Sequence, residues 1–264
     1  MDNRNTSLSS SFSTADCARV CVLHGICMYG APAEYFVLTF FWRIGSFVYA
    51  ILSNRTETME RLSTLPGHNC DYLSKGYWNL RYISEDNFEW CKGYQEFKPL
   101  ITKYVGKNDR VLILGCGNSS LGAEMFSDGF QNIINIDFSE VVIEKMTKRY
   151  PQMQWFCKDM RTLEGDADLG QFDVIIEKGT LDVLFVKDKS PWEASPTTKH
   201  DMKRTTDSIY SLLRPGGRFV SVTFTQPHFR LKYYQHEEYK WKINYETFGE
   251  GFHYFFYVAT RECP

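Results

Sequence analysis

VLILGCGNSSL, Val111 to Leu121, is an apolar run that breaks at glycine, and IINID, Ile133 to Asp137, is a second apolar run closed by an acid. The first run predicts a strand from Arg110 to Leu114, Gly115 to Gly117 a turn, and Ser119 or Ser120 the cap of a helix reaching about Asp128. The second run predicts another strand. Glycine carries no Cβ, so the backbone at Gly115 and Gly117 can approach a ligand closely. Asp137 follows Gly117 by twenty residues, the spacing at which an acid on the second strand meets the hydroxyls of a ribose. Alone, the glycine turn is equally an ordinary turn; with the acid and both strands it predicts nucleotide binding.

The pattern continues outward on both sides. Glu96 to Val105 reads as a helix with Phe97, Leu100, Ile101 and Tyr104 on one face. Ser139 caps a helix whose stripe is Val142, Ile143 and Met146. Strands are expected at Met153 to Cys157, Phe172 to Ile176 and Arg218 to Thr223, with a helix from Lys199 to Leu213 and a turn at Pro215-Gly216-Gly217. Trp241 to Tyr245 and Phe252 to Ala259 are two late strands joined by a turn holding Gly249 and Gly251. Strands alternating with helices predict an α/β fold with a mostly parallel sheet and helices on both faces. The short last connection forces its two strands antiparallel, because a parallel crossover takes a dozen or more residues. The expected fold is thus a seven-strand Rossmann-like sheet ending in an antiparallel hairpin.

Composition narrows the function classes. The chain has 264 residues, 43% hydrophobic and 23% charged, as in ordinary globular proteins. A formal net charge of -2 and no basic stripe argue against nucleic acid as a partner. Eight cysteines show no CxxC pair and no histidine at metal spacing, which predicts reduced thiols, a cytoplasmic protein and no metal site. Residues 1–16 are mostly small and polar. Glu34 to Leu52 is apolar but carries Arg43 near its centre, which counts against a membrane span. The segment is read as an appendage packed on the domain, as an extension that does little or, more weakly, as a poor membrane anchor making contact through 34–52. Asn5, Asn54 and Asn118 all open glycosylation sequons, and the last lies inside the glycine turn, so the sequons carry no weight.

Ligands of open α/β sheets sit beyond the carboxyl ends of the strands. There the sequence collects Gly115 to Gly117, Asp137 with Phe138, Asp159 with Met160, and Glu177. A dinucleotide cradle wants a third glycine where Ser120 stands. A rim of acids repels pyrophosphate and suits a cation. S-adenosyl-L-methionine fits: its sulfonium is positive, its ribose suits Asp137 and its adenine amine suits Asp159. Asp159 is also compatible with a turn cap, and Glu177 with a solvated strand-end charge.

The motifs LGCGNSSL, EKGTLD (Glu177 to Asp182), PGGRF (Pro215 to Phe219) and QPHFR (Gln226 to Arg230) together resemble the seven-strand S-adenosylmethionine-dependent methyltransferases of the methyltransferase-like group. The resemblance runs from about Asn69 onward; Met59, a natural second start, sets the expected boundary between an extension at 1–58 and a domain at 59–264. It implies that NCDYLSKGYWNLRY is a cofactor lid, with Trp78 and Tyr82 touching S-adenosylmethionine. It implies the same for Trp90, although FEWC departs from the family's usual DWF at Cys91. Gly115, Asp137, Phe138, Asp159, Met160 and Glu177 match the family's cofactor positions; for the aromatics, plain core packing is the alternative. The implied activity is protein-lysine N-methylation, with translation elongation factor one-alpha as the expected partner. Glu177 and Asp182 are weak candidates for accepting the amine proton, Asp182 being equally a helix cap. Trp192, in the loop Lys187 to Lys199, stands as a contact at the acceptor entrance or as an exposed linker residue. A small-molecule methyltransferase, a non-catalytic S-adenosylmethionine-binding module and, weakest, a nicotinamide oxidoreductase remain as alternatives.

Overall fold

A computed structural model describes residues 65–263 apart from residue 167. The extension at 1–58, its apolar segment and the proposed boundary at 59 lie outside the described residues.

Seven strands form one sheet: β1 (Val111–Leu114), β2 (Ile133–Asp137), β3 (Gln154–Cys157), β4 (Phe172–Lys178), β5 (Leu213–Thr223), β6 (Trp241–Phe248) and β7 (Tyr254–Arg261). Their order is β3-β2-β1-β4-β5-β7-β6. The first five pair parallel, and β7 enters antiparallel between β5 and β6. The expected fold class is the one observed, including the antiparallel close.

Strand side chains alternate between faces, and the two cores follow that rule. Val111 and Ile113 of β1, Val174 and Ile176 of β4, and Val220 and Val222 of β5 join one apolar cluster. It is covered by α2 (Tyr94–Tyr104), α3 (Leu121–Ser127) and α4 (Glu140–Arg149), through Phe97, Ile101, Met125, Val142 and Met146. Leu112, Leu114, Ile175 and Phe219 join the other cluster, beneath α5 (Pro196–Leu212) and α6 (Pro227–Tyr234). A first helix, α1 (Lys75–Ser84), packs on α4 near the strand ends.

Several boundaries differ from expectation. α5 begins at Pro196 rather than Lys199, because Ser195 caps it, accepting from the Thr198 N–H at 3.2 Å, and proline tolerates the first turn. Leu213 belongs to β5, not to the helix. Pro215-Gly216-Gly217 is not a free turn between helix and strand but a bulge inside β5: Phe172 pairs with Leu213 and Val174 with Arg218, so the intervening residues of β5 loop out. Gly216 sits at φ 79°, where only glycine is unstrained. Helix α6, over the QPHFR motif, was not among the expected elements.

Candidate active site

The carboxyl ends of β1, β2 and β4 open into one cleft with the lid helix α1 on its other side. Its wall holds eight of the nine residues assigned to the cofactor: Trp78, Tyr82, Trp90, Gly115, Asp137, Phe138, Asp159 and Met160. Including its open mouth the cleft encloses about 1240 Å³, room for a nucleoside-sized ligand.

The glycine turn leaves bare backbone facing this space. Gly115 and Gly117 have φ of 59° and 50°. A Cβ on Gly115 would collide with the Thr180 side chain, and one on Gly117 would stand 2.9 Å from the Tyr82 hydroxyl. The turn is tied to the next strand by its own amides. Cys116 N–H donates to the Ile136 carbonyl at 3.0 Å, and Gly117 N–H donates to Asp137 Oδ2 at 3.0 Å. Ser139 N–H donates to the other oxygen, Oδ1, at 2.9 Å. Asp137 is therefore locked in orientation by main chain alone. Burial pushes its carboxyl up to about 6; backbone donors from Ser139 and Gly117 oppose that rise, and the Asp159 charge adds to it. A buried carboxylate with little countercharge is suited to hydroxyl donors and to a cation.

The lid is an aromatic block. Trp78 stacks on Tyr82 at 5.5 Å and donates its indole N–H to the Tyr72 carbonyl at 2.7 Å. Trp90 meets Tyr72 edge-on at 5.8 Å and packs on Phe88 at 4.9 Å. The buried Arg81 guanidinium lies over Phe88, Trp90 and Trp78 at 4.8, 5.4 and 5.5 Å and donates to Glu85 and to the Tyr77 hydroxyl. Asn118, next to the turn, donates its amide N–H to Glu85 at 3.1 Å, so the lid and the glycine turn are fastened together. Ser139 caps α4, accepting from the Val142 N–H, and donates its hydroxyl proton to Asn79 of the lid at 2.6 Å. Cys91, where the motif departs from its usual form, sits at φ 55° just after Trp90. Its buried side chain also lines the cleft.

The expected acid rim is modified. Asp159 lines the cleft, but Arg161 forks onto it, with donors at 2.6 to 3.2 Å. Burial works against ionisation of Asp159, and the Arg161 donors outweigh it and hold the carboxyl below its ordinary range. Lys158, Arg161 and Lys178 also stand in the wall. Each is neutralised: Lys158 by Asp166 at 2.5 Å, Arg161 by Asp159, and Lys178 by Glu89 at 2.8 Å. Glu89 is the hub of a network that sequence reasoning missed. It takes the Lys178 ammonium, the Ser119 hydroxyl at 2.7 Å and the Ser120 N–H at 2.6 Å.

Glu177 is not in the cleft wall, which corrects the expectation of direct cofactor contact. β4 alternation sends Lys178 toward the lid and Glu177 toward α6. There Glu177 accepts the N–H groups of Thr180 and Leu181 at 3.0 and 3.1 Å and the hydroxyl of Ser221. It shapes the turn that carries Thr180 against Gly115. Burial first, then the Asp182 charge, push its carboxyl up. Asp182 does line the cleft, but its oxygens are engaged by Thr223, Thr225 and the buried Arg230. Neither acid stands free as a proton acceptor. Arg230 carries no signal in the sequence beyond its place in QPHFR, where a charged residue stands one step from an apolar one and both are buried.

Among the described residues no cluster of His, Cys, Asp or Glu is placed to hold a metal, and no helix is long and apolar enough to cross a membrane. The bare glycine turn, the backbone-held Asp137 and the aromatic lid fit an adenosyl group bearing a positive sulfur.

The chain is similar to several known proteins. The chain is 38% identical over 203 residues to EEF1A lysine methyltransferase 4 of Mus musculus, covering 75% of this chain and 79% of that protein. It is 34% identical over 173 residues to the eEF1A lysine and N-terminal methyltransferase homolog of Drosophila melanogaster, covering 63% of this chain and 24% of that protein. A looser likeness, with a TM-score of 0.48 and 16% identity, is to the crystal structure of a TehB-like SAM-dependent methyltransferase from Corynebacterium glutamicum, covering 73% of this chain and 98% of that one. The methyltransferase-domain family matches residues 106–256, from just before β1 into β7. By that match and by its relatives, the chain belongs to the methyltransferase-domain family.

Proposed function

We propose that this protein is an S-adenosylmethionine-dependent protein-lysine N-methyltransferase whose acceptor is translation elongation factor one-alpha. The observation that carries the reading is the likeness over 203 residues to a relative named for that activity, extending through the lid, the glycine turn and Asp137. Bound in the cleft, S-adenosylmethionine supplies a methyl on a positively charged sulfur, so the sulfur takes back its electron pair as the methyl passes to nitrogen. The protein's part is then mostly alignment. Asp137 accepts from the ribose hydroxyls, with its carboxylate aimed by the Gly117 and Ser139 amides. Gly115 lets the chain lie close to the ligand. Met160 and Phe138 flank the adenine, with Asp159 and its Arg161 fork at the edge. Trp78, Tyr82 and Trp90 close over the positive end. Glu177 acts indirectly, by holding the Thr180 turn.

The acceptor amine must arrive without its extra proton, since an ammonium has no lone pair and its ordinary pKa is about 10.4. Desolvation lowers that value. The test is transfer of labelled methyl from S-adenosylmethionine to purified elongation factor one-alpha, with the site located by mass spectrometry. Label on a lysine is the expected result. Label in a metabolite fraction and none on the protein would overturn the proposal.

A further inference from the structure

Beside the cofactor cleft lies a smaller cavity that no role above explains. Its walls are the apolar and aromatic side chains of Phe185, Pro191, Phe224, Phe229 and Tyr233, and its polar members are Asp182, Thr225 and Arg230. Asp182 and Phe224 line both spaces, so the two adjoin there. The walls come from the segment after β4, the residues that follow β5 and α6, the half of the strand-end rim that the cofactor residues leave free. Phe185 and Tyr233 meet edge to face at 4.9 Å. Outside, Trp192 is 70% exposed, yet its ring is braced on Phe229 at 4.9 Å and its carbonyl accepts from Lys232 Nζ at 2.7 Å.

Arg230 supplies a second, independent observation. It is 1% exposed. Its Nη2 donates to Asp182 and Thr225, while Nε and Nη1 have no hydrogen-bond partner. Buried donors are nearly always paired. Here the guanidinium lies over the Phe185 and Tyr234 rings, 5.1 and 5.9 Å from their centroids, so its fixed charge stands against the Phe185 wall of the cavity.

We propose that this cavity receives the side chain of the acceptor lysine, with its alkyl stem between Phe185, Phe229 and Tyr233 and its amine at the Asp182 end, where the two spaces meet. This rests on the protein-lysine reading above. A four-carbon stem matches flat aromatic walls. Desolvation and the fixed Arg230 charge disfavour an ammonium, and the Asp182 carboxylate, which would favour one, is already engaged by Arg230, Thr223 and Thr225, so the proton is released to solvent and the amine enters neutral. Trp192 stands at the mouth, against the residues that flank the lysine in its own chain.

The test uses the full chain with Tyr233→Ala and Phe185→Ala, both rings being only partly buried. KM for elongation factor one-alpha is expected to rise at least tenfold in each, while the Kd for S-adenosylmethionine stays within twofold of wild type. Tyr233→Leu, which keeps the apolar volume, gives the reading if the alanine variant does not fold, with a smaller rise expected. Unchanged KM in variants that bind cofactor and transfer methyl to lysine would overturn the cavity assignment alone. A wild-type protein that labels no lysine would remove this assignment together with the function it rests on.

Discussion

At the β1–β2 half of the strand-end rim the acid is held by main chain, and at the β4–β5 half by side chains. Asp137 is gripped by the amides of Gly117 and Ser139. Asp182 is gripped by Thr223, Thr225 and Arg230. Backbone donors cannot be lost by substituting their own side chains, so the cofactor half keeps its geometry as long as its turns keep theirs. The other half is a charge pair taken out of water, and it depends on each member being present. The first design suits a ligand that never changes, and the second allows one pocket to be reshaped residue by residue.

Arg230→Met tests that contrast hardest. It leaves Asp182 buried beside two hydroxyls with no cation, a loss of about 3–5 kcal/mol, readable by chemical denaturation. The double variant Asp182→Leu with Arg230→Met should recover part of that loss. If the single variant unfolds no more easily than wild type, the β4–β5 half does not rely on the pair.

Asp137 gives the next effect, and its sign is opposite to that of a salt-bridged acid. Its carboxyl is raised from 3.8 to about 6 in the folded protein. Between those values the folded state binds more protons than the unfolded one, so this group's contribution to stability falls as pH rises through the interval. At about 1.4 kcal/mol per unit the full difference is about 3 kcal/mol. Asp137→Asn should remove that slope, seen as the difference between wild-type and variant stability from pH 4 to 7. Cofactor binding runs the other way, because the ribose needs the ionised form. Wild-type Kd for S-adenosylmethionine should rise about tenfold per unit below pH 6. A flat titration would break the assigned role of Asp137.

Gly115→Ala puts a side chain at φ 59° against Thr180. Strain of ~1–3 kcal/mol is expected, with cofactor affinity falling more than tenfold in calorimetry. The smallest effect belongs to Ser139→Ala, which removes the α4 cap and the bond to Asn79 for about 1 kcal/mol, readable as a modest drop in Tm. Were it to match Arg230→Met, the main-chain half would be as dependent on side chains as the other.

The same contrast governs what could be read from residues alone. The glycine turn and Asp137 lie 20 residues apart and act through adjacent strands, so spacing was enough to pair them. Asp182 and Arg230 are 48 residues apart, and nothing local to either announces the other. α6 escaped notice because it buries Arg230 beside Phe229, which blurs the apolar period that marks a helix. Glu177 follows the apolar run of β4, and a position at a strand end points to the cleft. The alternation of β4, applied one residue further to Lys178, separates the two faces and would have sent it inward. The central strands were legible because unbroken apolar runs and β-branched residues coincide there, whereas β5 and β6 run past their expected bounds.

One topological detail bears on how the protein is made. β7 lies between β5 and β6, so an internal row of the sheet comes from residues 254–261. Until that segment leaves the ribosome, β5 and β6 each carry an unsatisfied edge; β7 then joins β6 as a local hairpin, but its pairs with β5, from Thr223↔Phe255 to Arg218↔Thr260, are long in sequence. The nascent chain is thus exposed to mispairing until synthesis passes β7, which makes this stage the one where a chaperone has most to do.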